Sequence, residues 1–145
     1  MLSRLFTNAP VAHAHCDLFC GVYDPAQAKI EALSVLKSAK KYQDSDDPVF
    51  KDRCILIKEE RAELVKHHVM VLWADFFTPE HVAEFPQLHD LVWRTIRKAG
   101  EAKKSVDPAD GEQLVALVDE IADIFWQTAK AKDAGVYPPA GATVG

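Results

Sequence analysis

Disulfides cannot be what holds this chain together, because three cysteines in 145 residues are too few for a disulfide framework. No apolar run approaches the roughly 18 residues that a membrane-spanning helix needs, so no membrane is expected as a partner. Basic residues are outnumbered, 17 against 22 acidic, for a net charge of −5. With no basic stripe either, nucleic acid is not an expected partner. Strand-like alternation and internal repeats are both missing. His67, His68, His81 and His89 lack the HExxH-type spacing of a helical zinc site and read as structural or surface residues. What is left is an ordinary globular composition, 48% hydrophobic and 27% charged, long enough for one domain with a real core.

What is present is a rhythm of prolines. Asp24-Pro25, Asp47-Pro48, Thr78-Pro79 and Asp107-Pro108 each put a capping side chain before a residue that needs no N–H in the first helical turn. Each pair therefore predicts a helix start. The spacing predicts long helices over 25–42, 48–76, 86–103 and 108–132, with a short helical turn between Thr78-Pro79 and Pro86. The expected inward stripe of the second helix is Phe50, Cys54, Ile57, Leu64, His68 and Leu72, with Cys54 a buried small hydrophobe. Arg61 would interrupt that stripe beside Ile57, Leu64 and His68. A guanidinium there needs a partner, and Glu31 on the first helix could supply it. The expected fold is all-α, an antiparallel four-helix bundle over residues 15–132 with an N-terminal metal-binding hook. Residues 1–14 read as a cleaved leader and 133–145 as a disordered tail.

The hook is His15-Cys16-Asp17-Leu18-Phe19-Cys20-Gly21-Val22-Tyr23. Two thiols and an imidazole suit nickel, copper or zinc far better than magnesium or calcium. Just before it, Ala12-His13-Ala14 ends in small residues like a secretory cleavage site. Residues 1–14 nevertheless lack an apolar central segment, since Asn8 and Pro10 interrupt it; a processed pro-segment fits better than an export signal. A cut after Ala14 would give His15 a free amine. Amine, the next amide nitrogen and two sulfurs are four strong donors able to lie in one plane, which favours Ni(II) or Cu(II) over tetrahedral zinc. Read alone, the Cys-x3-Cys spacing equally allows a disulfide, a zinc site or two idle thiols.

From His15 to Ala26 the sequence resembles the hook of the nickel-containing superoxide dismutases at every position but one. The likeness continues through Ile57-Lys58-Glu59-Glu60-Arg61-Ala62-Glu63-Leu64, Lys66-His67-His68-Val69 and Asp123-Ile124-Phe125-Trp126. The resemblance implies an enzyme, a superoxide dismutase that turns superoxide into oxygen and hydrogen peroxide with a nickel ion as cofactor. It implies Cys16 and Cys20 as thiolate ligands, and His15 as the source of an amine and an axial imidazole. Glu31 and Arg61 would orient that imidazole. Tyr23 would close the open face of the metal, and Asp17 could hold the hook through backbone amides. It also implies a dedicated processing protease, a homohexamer and a cytoplasmic location. Lysines and arginines around Lys58, Arg61 and Lys66 could draw the substrate anion inward.

Two positions depart from the family. Phe19 stands where the family has a proline whose preceding bond is characteristically cis, and a cis bond before any other residue costs about 2.5–4 kcal/mol. Either chelation holds that bond cis or the hook closes with a different loop. Phe76 stands where a second tyrosine is common. The competing functions are a nickel or copper carrier without turnover, and a structural helical module with a Cys16–Cys20 disulfide.

Overall fold

The computed structural model describes residues 23–128 and residue 131. Among these residues there is no strand. Five helices follow in order: α1 (Ala26–Gln43), α2 (Pro48–Val71), α3 (Pro79–Glu84), α4 (Leu88–Lys104) and α5 (Pro108–Gln127). A π turn, Leu72–Phe76, continues α2 and is closed by the Phe77 amide donating to the Leu72 carbonyl at 3.0 Å.

The Asp/Thr-Pro pairs act as local chemistry predicts. Asp47 accepts from the Val49 amide at 3.0 Å and Asp107 from the Ala109 amide at 2.9 Å, each followed by proline in the first turn. These are the bonds that satisfy otherwise orphaned amides at a helix start. Thr78 forms a reciprocal capping box with His81, whose Nδ1 accepts from the Thr78 amide at 3.2 Å. At the first pair, Asp24 accepts from the Ala26 amide at 2.7 Å and Pro25 is drawn into a helical conformation ahead of α1.

The long helices form a four-cornered ring in which α1 packs on α2 and α5, and α4 completes it against α2 and α5. Cross-links along the seams show that neighbours run antiparallel. Lys29 pairs with Asp119 and Lys40 with Glu112 between α1 and α5, while Lys58 reaches Ala102 and Lys66 lies by Gly100 between α2 and α4. Leu88, Leu91, Leu114, Ile121, Val35, Val65, Val69 and Val118 are fully buried inside the ring. Burying each such side chain contributes about 1.5–3 kcal/mol.

Three expectations about the helices are corrected. The inward ridge of α2 is Cys54, Lys58, Ala62, Val65, Val69 and Leu72. Phe50 (37% exposed) and Ile57 (44% exposed) face outward, because the bundle seats small residues such as Ala62 of α2 and Ala28, Ala32 and Ala39 of α1. Arg61 accordingly flanks the core, and the cation that does interrupt the ridge is Lys58. Finally, α5 stops at Gln127 and does not reach Lys132. Thr128 is extended (φ −64°, ψ 145°), and its buried hydroxyl donates to the Phe125 carbonyl at 2.7 Å. That bond takes an acceptor that a further helical turn would have used.

Candidate metal centre

The proposed ligands His15, Cys16 and Cys20, together with Asp17 and Phe19, lie outside the described residues, as do the leader and tail. What the structure gives is the body from which the hook departs. Tyr23 is the first described residue. It packs against the core with its ring 5.8 Å from that of Phe76. Behind Tyr23, the Asp24 carboxylate and the buried Pro25 tie the chain to the start of α1. The hook therefore joins the bundle at the end formed by the π turn, α3 and the last turn of α5.

That end is an aromatic stack. Phe76 is buried and touches Phe125 (4.3 Å between ring centres), Phe77 (5.2 Å) and the imidazole of His81, which lies nearly parallel to it at 5.6 Å. Aromatic pairs in offset or edge contact contribute about 0.5–1.5 kcal/mol beyond area burial. The π turn makes this possible, because one extra residue in the turn rotates the chain beyond it and brings Phe76 inward beside Tyr23. Such turns concentrate at functional sites. Hydropathy periodicity gave no sign of it, nor of His81's place in the stack. The Thr-Pro-Glu-His spacing was the available signal for His81's capping role.

Two turns along α1 from Tyr23, the Glu31 carboxylate meets Arg61 of α2, with Nη1 3.3 and 3.4 Å from its two oxygens. Glu31 is the more enclosed partner, with its side chain 13% exposed against 33% for Arg61. Arg61 also reaches Glu60 at 3.4 Å. The pair thus leaves a fixed carboxylate and guanidinium on the α1–α2 seam, on the helix that carries the hook.

The basic residues near Arg61 do something else. Lys58 is 2% exposed, and its ammonium donates to the carbonyls of Ala102 (2.6 Å) and Lys103 (2.8 Å). It closes the C-terminus of α4, where unpaired carbonyls favour a cation. Burial lowers its pKa from the usual lysine value, and nearby Glu59 and Asp110 work in the opposite direction. An ammonium spent in this way is not available to attract substrate, which corrects that expectation for Lys58. Lys66 is paired with Glu63 at 3.4 Å, and Glu63 also binds Lys103 at 2.7 Å.

No group of three or more His, Cys, Asp or Glu among the described residues could hold a metal ion. Cys54 is buried in the body as a free thiol. A sequence model of nickel-containing superoxide dismutase matches residues 10–129. The chain belongs to the nickel-containing superoxide dismutase family. It is 53% identical to the nickel superoxide dismutase of Streptomyces coelicolor over 131 residues, which is 90% of this chain and all of that protein. Identity to the Streptomyces seoulensis enzyme is 50% over the same length. A native nickel superoxide dismutase crystal structure superposes with a TM-score of 0.76 at 52% identity, covering 78% of this chain and 97% of that one. As a member of the family, this dismutase is a nickel-dependent oxidoreductase that acts on superoxide. The alternative of a metal carrier or purely structural module is not favoured. Its all-helical body fits the fold of the solved relatives.

Proposed function

We propose that this dismutase builds its nickel site from His15, Cys16 and Cys20 after a processing protease cuts behind Ala14. The observation that carries this reading is the place of the third cysteine. Nickel at a superoxide-handling potential needs anionic sulfur, and Cys54 is enclosed in the helical core, only 6% exposed. Cys16 and Cys20 are therefore the thiolates left to supply it. Thiolate, amine and amide donors suit a planar nickel site and stabilise its higher oxidation state.

Nickel, when bound, would supply a +2/+3 redox couple, through which one superoxide gives up an electron to become oxygen and a second takes that electron and two protons to become hydrogen peroxide. The chain positions the groups around that chemistry. Glu31, held by Arg61, would accept from the His15 imidazole, fixing the ring's orientation and raising its basicity. Tyr23, seated against Phe76, would offer its phenol beside the bound metal to order water or the incoming anion. The Phe76 ring cannot share that task, so Tyr23 carries it alone.

The outward apolar side chains Ile30, Phe50, Leu56, Ile57 and Met70 on α1 and α2 support assembly, and a homohexamer is the form we assign. The location we assign is the cytoplasm, in keeping with the reading of residues 1–14 as a processed pro-segment.

The test is superoxide dismutation by nickel-reconstituted protein beginning at His15, beside the same protein beginning at Met1. Activity confined to the His15 form is expected. Equal activity in both, or inactivity in both despite bound nickel, would overturn the reading. Light scattering of the processed, nickel-loaded protein tests the assembly, and a monomer refutes the hexamer.

A further inference from the structure

Away from the metal site, α4 leaves one large aromatic side chain in solvent. Trp93 is 58% exposed, with the Arg97 guanidinium 5.8 Å from its ring centre. It lines a groove of about 500 Å³ between α4 and α5, with Ala116 and Leu117 on the facing helix. Of the groove's five charged side chains, Arg94, Lys98 and Glu101 are paired, and the other two, Arg97 and Glu120, are of opposite sign. Arg94 holds Asp90 at 2.7 Å, and Lys98 holds Glu101 at 2.9 Å and Asp110 at 3.1 Å. An occupant with little charge of its own, able to cover an indole, is what fits.

We propose that the occupant is this chain's own C-terminal segment, residues 132–145, which docks Tyr137-Pro138-Pro139 against Trp93. This inference is independent of the metal-site reading. Three observations carry it. The first is reach. The groove runs beside the middle of α5, from Gln113 to Glu120. Glu120, on its rim, is about 10 Å from Gln127 at 1.5 Å per residue. Tyr137 is six residue steps beyond Ala131, and an extended chain of that length spans up to about 20 Å. The second is chemistry. From Ala134 to Gly145 the segment carries no charged side chain. Consecutive prolines favour the polyproline II form, which docks in aromatic-lined grooves with little entropy left to lose. The third is that the segment is additional to the family fold. The family match ends at residue 129, and the Streptomyces coelicolor enzyme is matched over its whole length by 90% of this chain. These residues lie beyond the stretch that defines the family and are open to a role of their own.

The experiment is 19F NMR of the full chain carrying 5-fluorotryptophan, with the Trp93 signal assigned by its loss in Trp93→Phe. Trp73, partly buried against the core and the His89 ring and not part of the groove, is the internal reference. Replacing Tyr137, Pro138 and Pro139 together by serine changes no residue of the five helices. It is expected to shift the Trp93 signal and enlarge its H2O/D2O isotope shift while Trp73 stays in place. An unmoved Trp93 signal would overturn the proposal. So would a shift confined to Trp126, which would put the segment on the end of α5. A Trp93 signal that moves on dilution but ignores the serine changes would assign the groove to a second copy of the chain, and would equally overturn it.

Discussion

Two glycines in comparable helical settings should respond to alanine with opposite signs. Helix propensity alone makes Gly→Ala stabilising by about 1 kcal/mol in a helix interior. At Gly100 in α4 nothing opposes that gain. An added Cβ would meet only the flexible end of Lys66, 3.8 Å from Nζ and 3.9 Å from Cε, which is ordinary contact. Gly111 in α5 is different because α1 crosses it closely. A Cβ there would lie 2.7 Å from the Leu36 Cα, 3.0 Å from its Cβ and 3.2 Å from its Cδ1. The nearest of these is backbone, so no rotamer change relieves it, and α1 and α5 must move apart. Overpacking of this kind costs about 1–3 kcal/mol. With propensity subtracted, Gly111→Ala should lose up to about 2 kcal/mol and Gly100→Ala should gain up to about 1 kcal/mol. At roughly 4 °C per kcal/mol for a chain of this size, Tm should fall by several degrees in the first variant and rise by a few in the second. Thermal and urea unfolding followed by far-ultraviolet circular dichroism provide the measurement. A Tm for Gly111→Ala equal to or above that of the parent would refute the close approach of α1 and α5.

The other predictions concern the seam beside the metal site and the response to acid. Glu31→Gln and Arg61→Met should lower turnover by roughly 10–100-fold, as expected when a group orienting a ligand is lost, while nickel content changes less. Their effect on unfolding should stay within about 1 kcal/mol because the pair is partly exposed; turnover equal to the parent would remove both residues from the reaction. Asp110 is held below its ordinary carboxyl value of 3.8, chiefly by a hydrogen bond from Ser105 and next by Lys98. Its contribution to stability is therefore complete above that value and is lost as pH falls through the lower folded-state pKa. Asp110→Asn should flatten the decline in stability below about pH 4, where the parent's carboxylate begins to take up its proton. An unchanged acid slope would show that the Ser105–Lys98 contacts contribute nothing.

The helix starts were legible before any coordinates because capping is local. Asp47 and Asp107 need only an amide two residues away, and Thr78 needs only His81. The Glu31–Arg61 pairing was also within reach, since a guanidinium near an apolar face limits the choice of partner. The rotation of α2 was not. Large apolar residues such as Ile57 and Phe50 signal the inside of an isolated helix, yet here close packing reserves the seams for alanines. The ridge that turned inward carries Lys58, whose partners are carbonyls more than 40 positions away. The stop at Gln127 and the π turn before Phe77 were equally hidden, because each depends on where a buried hydroxyl or ring is accommodated.

By itself, then, the sequence determined what proximity along the chain can determine: the capped helix starts, the all-helical class, and the tight run of His15, Cys16 and Cys20 with its likeness to one enzyme family. Only the tertiary structure decided which face of α2 is inside, that Lys58 closes α4, and that Phe76 lies beneath Tyr23. Those outcomes depend on the distance between helix axes and on which side chains fit between them. Backbone contact at Gly111 and Leu36 sets such a distance, and no local pattern in either helix encodes it.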